Sequence, residues 1–257
     1  MTGAKPRPRA DIAILGGGLA GGLIALALRR EDPSLDVVLL EEGEALGGNH
    51  RWSWFESDLN FPGEALLSPF RKTHWPVGYA VLFPEHNRTL DSVYCSLSSA
   101  DFDAGLQREL AQSTIHTRCK VIEVDARGAT LAGGDRIEAR CVIDARGFIP
   151  SDAFEGGWQV FMGRHLRTTK PHELDRPLVM DARVKQHGAF RFLYTLPLAA
   201  DELFVEDTYY QHTPDLDRAA LSARIDRYCA AVGWEGEPLA FETGVLPVIT
   251  GGDLRRY

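Results

Sequence analysis

With 257 residues, 44% of them hydrophobic, the chain can bury a substantial core and falls in the globular class. Its 36 acidic against 28 basic residues leave a formal charge of -8, so it has no basic field to attract nucleic acid, and a nucleic-acid role is excluded. Cys95, Cys119, Cys141 and Cys229 stand far apart without C-x-x-C spacing, and the eight histidines show no ligand spacing, which argues for reduced thiols in a cytoplasm and against any metal site.

The first elements are an apolar strand at residues 11–15, a helix at 20–30 and a second apolar strand at 36–41, with Pro33 and Ser34 marking the turn before it. The uncharged run from Ile12 to Leu28 is too short and too rich in glycine for a bilayer span, and it reads as strand, turn and buried helix. Strand, helix and strand in so short a stretch imply parallel pairing. A further helix fits Ser98 or Ser99 as its N-cap, Asp101 and Asp103 in its first turn, and Phe102, Leu106 and Leu110 along one face. Short strands follow at 120–125 and 140–144, with a Gly133-Gly134 turn between them.

Beyond Gly147 the pattern changes to longer strands rich in aromatic residues, at 158–166, 178–184, 189–196 and 203–210, as in a mostly antiparallel sheet. A last helix is expected from Thr213-Pro214 to Gly233, followed by a strand at 239–248. Gly251-Gly252-Asp253 reads as a turn in mid-fold, so the chain is expected to be a fragment. One boundary near residue 150 divides it into a nucleotide-binding domain, 1–150, and a substrate-binding domain, 151–257, that is incomplete at its C-terminal end.

Gly16-x-Gly18-x-x-Gly21 lies between the first strand and the first helix, where a dinucleotide-binding turn must lie. Gly16 permits the tight turn, Gly18 lets a pyrophosphate approach the backbone, and Gly21 lets the helix pack on the sheet. Glu41 ends the next strand, where a carboxylate accepts hydrogen bonds from ribose hydroxyls. Gly47-Gly48 and the run Val142-Ile143-Asp144-Ala145-Arg146-Gly147 resemble the supporting motifs of flavoproteins of the two-dinucleotide-binding-domain type. That resemblance implies FAD as the nucleotide, with Gly48 and Gly147 among the residues that hold it. It implies an α/β fold class, a Rossmann-type FAD-binding domain with an antiparallel-sheet substrate domain.

Four further segments occur in order: G-G-N-H-R-W-S from Gly47, P-L-V-M-D-A from Pro177, F-R-F-L-Y-T-L-P-L from Phe190, and L-F-V-E-D-T-Y-Y from Leu203. Together they resemble the bacterial lycopene β-cyclases, and the likeness extends from Asp11 to about Ile249. Such enzymes close the ends of lycopene into β-ionone rings by adding and then losing a proton, an isomerisation that uses reduced FAD with NADPH as the implied reductant. Family members continue further, with a second glycine-rich segment and amphipathic helices. The resemblance therefore implies a cytoplasmic location with peripheral contact of the full-length protein on the cytoplasmic membrane. Glu206 falls on the family's catalytic acidic residue, and Asp207 beside it is the second catalytic candidate.

Strand alternation places Phe204, Glu206, Thr208 and Tyr210 on one face and Leu203, Val205, Asp207 and Tyr209 on the other. If the aromatic face of Phe190, Phe192 and Tyr194 coincides with the first, Glu206 projects into an aromatic slot, where desolvation keeps it protonated. Asp207 is open to two readings, catalysis or pairing with Arg191. Asp181 and His50 are read as structural as readily as chemical. An FAD-dependent monooxygenase, a prenyl-chain reductase of the same fold, and an inactive fragment stay open as alternatives.

Overall fold

The computed structural model describes residues 9–256. The chain begins β1 (Arg9–Leu15), α1 (Leu19–Glu31) and β2 (Val37–Leu40), the expected strand, helix and strand. At the predicted turn, Ser34 donates to Asp32 Oδ1 from both its backbone N–H (2.9 Å) and its hydroxyl (2.6 Å). β3 (Arg51–Phe55), α2 (Phe61–Leu67), β4 (Thr73–Trp75), β5 (Tyr79–Leu82), β6 (Asn87–Leu90) and β7 (Tyr94–Ser98) then occupy a stretch in which the sequence reading placed no element. α3 (Ser99–Glu109) starts at the expected cap, with the Ser98 hydroxyl accepting from the Asp101 N–H at 3.1 Å. The order is completed by β8 (Ile115–His116), β9 (Val121–Asp125), β10 (Gly128–Leu131), β11 (Arg136–Asp144), β12 (Phe154–Thr168), β13 (Leu178–Asp181), β14 (Arg191–Ala199), β15 (Glu202–Gln211), α4 (Arg218–Val232) and β16 (Gly236–Gly252).

Two expected boundaries are corrected. α4 begins after Asp217, whose carboxylate accepts from Ala220 N–H at 2.9 Å, and not at Thr213-Pro214, because Gln211 binds the Thr213 and Asp215 carbonyls in a turn of its own. Gly251 and Gly252 belong to β16 and pair with β12, so the expected turn is strand. The end of α4 is as expected, with Gly233 in the left-handed region at φ 79°.

The chain forms two compact units. The first comprises residues up to Ser53, Asp58–Lys72 and Ser96–Phe148; the second comprises Trp54–Ser57, Thr73–Cys95 and the chain from Ile149 onward. A single boundary near residue 150 misses the two inserted pieces of the second unit. Their placement depends on partners distant in sequence: β5 pairs in parallel with β13, Ala80 lying opposite Leu178.

In the first unit a six-stranded sheet runs in the order β8-β2-β1-β11-β10-β9. β1 is parallel to both β2 and β11, the arrangement that a right-handed strand-helix-strand unit produces. β1 and β2 supply the buried apolar centre, including Leu15, Val38 and Leu40.

In the second unit the sheet has seven strands in the order β16-β12-β15-β14-β13-β5-β6, antiparallel except between β13 and β5. One face is covered by α4: Leu221, Ile225 and Cys229 pack with Met162, Leu193, Leu203 and Val205. An ion pair from Arg164 on β12 to Asp226 of α4 ties the same face together, with hydrogen bonds from Arg164 to the Ser222 hydroxyl and from the Tyr228 hydroxyl to Asp181 Oδ2 at 2.9 Å. Among the described residues no helix is long and apolar enough to cross a membrane, and no group of three or more His, Cys, Asp or Glu is placed to hold a metal ion.

α3 packs closely on Phe70 at Gly105, where an added Cβ would meet the ring at 2.3 Å. A valine there recovers only part of the about 1 kcal/mol that glycine costs a helix, whereas overpacking costs about 1–3 kcal/mol. Gly105→Val is therefore expected to lower stability, read as a fall in the thermal midpoint of the unit; an unchanged or raised midpoint would show that Phe70 can move aside.

Candidate functional site

Each unit carries one group of the predicted residues. In the first, β1 ends at Leu15 and the chain turns through Gly16, at φ +97°, into α1. A Cβ on Gly16 would lie 2.6 Å from the Ala145 carbonyl oxygen, and one on Gly21 would lie 2.0 Å from the Gly16 carbonyl oxygen. Both glycines are thus required by the fold itself. Gly18 differs, because its backbone is ordinary at φ -67° and an added Cβ would meet nothing within 4 Å. Gly18 is also the N-cap of α1, with no capping side-chain hydrogen bond and no acidic residue in the first turn. An uncapped helix N-terminus beside open space is the surrounding that a phosphate group fits.

Glu41 follows β2, and its carboxylate accepts from Gly17 N–H through Oε2 and from Gly43 N–H through Oε1, both at 2.7 Å. These bonds fix it at the mouth of the turn, and each oxygen keeps a lone pair for a ribose hydroxyl. Gly47 N–H donates to the Gly17 carbonyl at 2.8 Å, which brings Gly48, at φ +62°, to the same loop cluster. Ala145 N–H donates to the Leu15 carbonyl at 2.8 Å, and Gly147, at φ +95°, follows with open space about it. Gly16, Gly18, Gly21, Glu41, Gly48 and Gly147 therefore gather at the ends of β1, β2 and β11. His50 lies beside this loop, its carbonyl accepting from Ser99 N–H at 2.9 Å.

In the second unit the predicted alternation along β15 holds in register. Tyr194 on β14 is opposite Glu206, and Phe192 is opposite Thr208. The aromatic rings of Phe190, Phe192, Tyr194 and Tyr210 touch one another, with centroid separations of 5.2–6.4 Å. The two aromatic faces coincide, and Glu206 stands among them, buried. The Thr208 hydroxyl donates to Glu206 Oε1 at 2.7 Å. Burial pushes the Glu206 carboxyl up to about 7, the hydrogen bonds of Thr208 and Glu242 hold it down somewhat, and the Asp207 charge raises it.

Asp207 faces the other side. Arg191 grips it in a buried fork, Nε to Oδ1 at 2.6 Å and Nη2 to Oδ2 at 2.8 Å. Of the two readings of Asp207, the geometry realises the pairing with Arg191. Asp181 is likewise engaged: Arg183 donates to both its oxygens, and the carboxyl stays below its ordinary range because these bonds and that of Tyr228 outweigh a larger opposing effect of burial.

Glu242 on β16 is the residue that the sequence reading passed over. It is buried and hydrogen-bonded to Glu206. Its signal was a carboxyl directly after the apolar run Leu239-Ala240-Phe241, but its neighbour could not be read from local spacing.

The family model for lycopene cyclase proteins matches residues 11–257. The chain is 43% identical over 246 residues to the lycopene beta-cyclase of Pseudescherichia vulneris, covering 95% of this chain and 63% of that protein. It is 40% identical over 243 residues to the lycopene beta-cyclase of a Paracoccus species, covering 95% and 62%. The chain thus spans less than two thirds of the length of these curated relatives. Among solved structures, a geranylgeranyl bacteriochlorophyll reductase-like protein of Thermoplasma acidophilum superposes with a TM-score of 0.65 at 16% identity, over 95% of this chain and 68% of that one. At that identity the likeness concerns the fold alone.

Two outcomes follow from this geometry. Gly18→Val introduces a side chain that the protein accommodates but a pyrophosphate does not, so the variant is expected to fold with a wild-type thermal midpoint and to lose flavin absorbance; a fully flavin-loaded variant would remove the turn from the cofactor site. Asp207→Asn strands the buried Arg191 charge and is expected to cost about 3–5 kcal/mol in urea unfolding, most of it recovered when Arg191 and Asp207 are replaced together by Met and Leu.

Proposed function

Because the chain belongs to the lycopene cyclase family, we propose that it carries the nucleotide cradle and the acid of a lycopene β-cyclase, an isomerase (intramolecular lyase) that closes the ends of lycopene into β-ionone rings. The observation that carries this reading is Glu206: a carboxyl held up to about 7 by burial, on a sheet face lined with aromatic rings. Cyclisation of a polyene needs an acid that still carries its proton at working pH and a surrounding that tolerates a carbocation without offering it water. Glu206 supplies the proton to the terminal double bond. The faces of Phe190, Phe192, Tyr194 and Tyr210 stabilise the cation by about 0.5–2 kcal/mol each. Ring closure follows, and loss of a proton restores the double bond, so substrate and product are isomers.

FAD would be held by the backbone at Gly16 and Gly18, with Glu41 on the ribose and Gly48 and Gly147 alongside. When bound and reduced, with NADPH as reductant, it supplies an electron-rich ring system that favours positive charge nearby. Gly16 and Gly21 keep the turn tight enough for this, and Glu41 excludes a second phosphate by its charge. Peripheral contact with the cytoplasmic membrane would give access to so apolar a substrate.

Anaerobic incubation of the chain with lycopene, FAD and NADPH, followed by pigment chromatography, tests the proposal. The expected product has the mass of lycopene, and NADPH consumption is not proportional to rings formed; a product heavier by oxygen or hydrogen would place the chain with the monooxygenases or reductases. Glu206→Gln keeps shape and should retain flavin while slowing ring formation roughly 100-fold or more. Because the acid works only when protonated, the rate should be high below about 7 and fall as pH rises through that value; a rate that climbs there would overturn Glu206 as the acid.

A further inference from the structure

Glu206 does not stand alone on its face. Across β14, β15, β12 and β16 the register sets Tyr194, Glu206, Gly163 and Glu242 in one row. Cross-strand partners in a sheet project to the same side, so both glutamates rise from the aromatic face with only a glycine between them. The gap is filled from its flanks: a Cβ on Gly163 would lie 2.2 Å from the Phe204 ring and 2.9 Å from Glu242 Cγ. Any side chain at 163 would therefore separate the two carboxyls or displace the ring. Glu206 and Glu242 are both at least nine-tenths buried, and they hydrogen-bond each other. Two carboxylates have only acceptors, so that bond requires a proton on one of them.

We propose that Glu206 and Glu242 form a carboxyl pair that holds one proton between them, gives it to the substrate and takes one back. This rests on the cyclase reading above and deepens it, because an isomerisation needs a base as well as an acid. The steps balance on the pair alone. Its proton adds to the terminal alkene carbon, and the electrons of that double bond form the new C–H bond. The neighbouring double bond closes the ring and leaves a tertiary cation. A ring C–H bond then breaks, its electrons form the ring double bond, and its proton returns to the pair. No oxidant or reductant is consumed. After the first step the pair carries two negative charges opposite the cation, which favours both the cation and the return of the proton.

Among the described residues, no cationic group acts on Glu206. Tyr194 on β14 is half-buried, and desolvation pushes its hydroxyl above its usual range, with Tyr94 on β7, Glu206 and Tyr210 on β15 adding to the rise. Thr208 donates to Glu206, and Asp207 acts on Glu206 from the opposite face, where Arg191 holds it. His165, on the same strand as Gly163, is engaged by Glu202 at 3.0 Å.

The test is a carboxyl ¹³C NMR titration of the whole chain labelled at glutamate, with Glu206→Gln and Glu242→Gln assigning the two resonances by their loss. In the wild type both carboxyls are expected to sense two steps separated by more than about one pH unit, as interacting sites do. In either variant the splitting into two steps, which exists only because the two carboxyls interact, should disappear, and the remaining carboxyl should titrate once. Each carboxyl titrating once, at a pH that substitution of the other leaves unchanged, would overturn the pair. In the pigment assay each single variant should lose roughly 100-fold, the double variant should lose no more than either, and the fall in rate near neutral pH should shift in Glu242→Gln. Wild-type turnover in Glu242→Gln would remove Glu242 from the chemistry. A wild-type chain that makes no ring product would overturn the cyclase reading, and the titration would still decide whether the pair exists.

Discussion

Two adjacent acids on one strand face opposite sides of a sheet, and much of the second unit is arranged around keeping them there. Asp207 is anchored among the helix-covered residues by the forked grip of Arg191, and Glu206 is thereby committed to the aromatic face. A slip of one residue would exchange the two, burying Glu206 under α4 and exposing Asp207 to the rings. The buried ion pair adds little net stability compared with apolar packing, but breaking it is costly, so it acts as a latch on register. The placing of the protonated carboxyl on one face is thus secured by charge pairing on the other.

The nucleotide turn follows a similar division of labour. Gly16 and Gly21 are consumed by the fold, since backbone oxygens occupy the places where their side chains would be. Gly18 is left over: a Cβ added there would meet nothing of the protein within 4 Å. An open glycine at an uncapped helix start is the feature on which the proposed nucleotide site rests. Glu41 is fixed beside the turn by the two backbone bonds it accepts, one on each carboxylate oxygen.

Much of this was legible in the sequence where the determinants are local. The β1-α1-β2 unit, the Ser98 cap of α3, the left-handed Gly233 and the alternation along β15 all depend on neighbours a few residues away. The strands β3 to β7 were not legible, because short strands such as β5 are stabilised by partners nearly a hundred residues on. The start of α4 was misjudged since a threonine and a proline signal a cap, whereas the side chain of Gln211 claims that segment first. Glu206 could be picked out by alternation and resemblance; Glu242 could not, since its importance arises from the order in which strands join the sheet.

Gly163 also explains why both partners are glutamates. β12 lies between β15 and β16, so the two side chains start two strand spacings apart, roughly 9.6 Å. They meet only by leaning over the intervening backbone with their full length. An aspartate at either end would fall a methylene short, admit a water molecule, and turn one shared proton into two separate acids. The dimension that matters here is reach: the strand spacing of the sheet acts as a ruler, and only the longer of the two acidic side chains spans it.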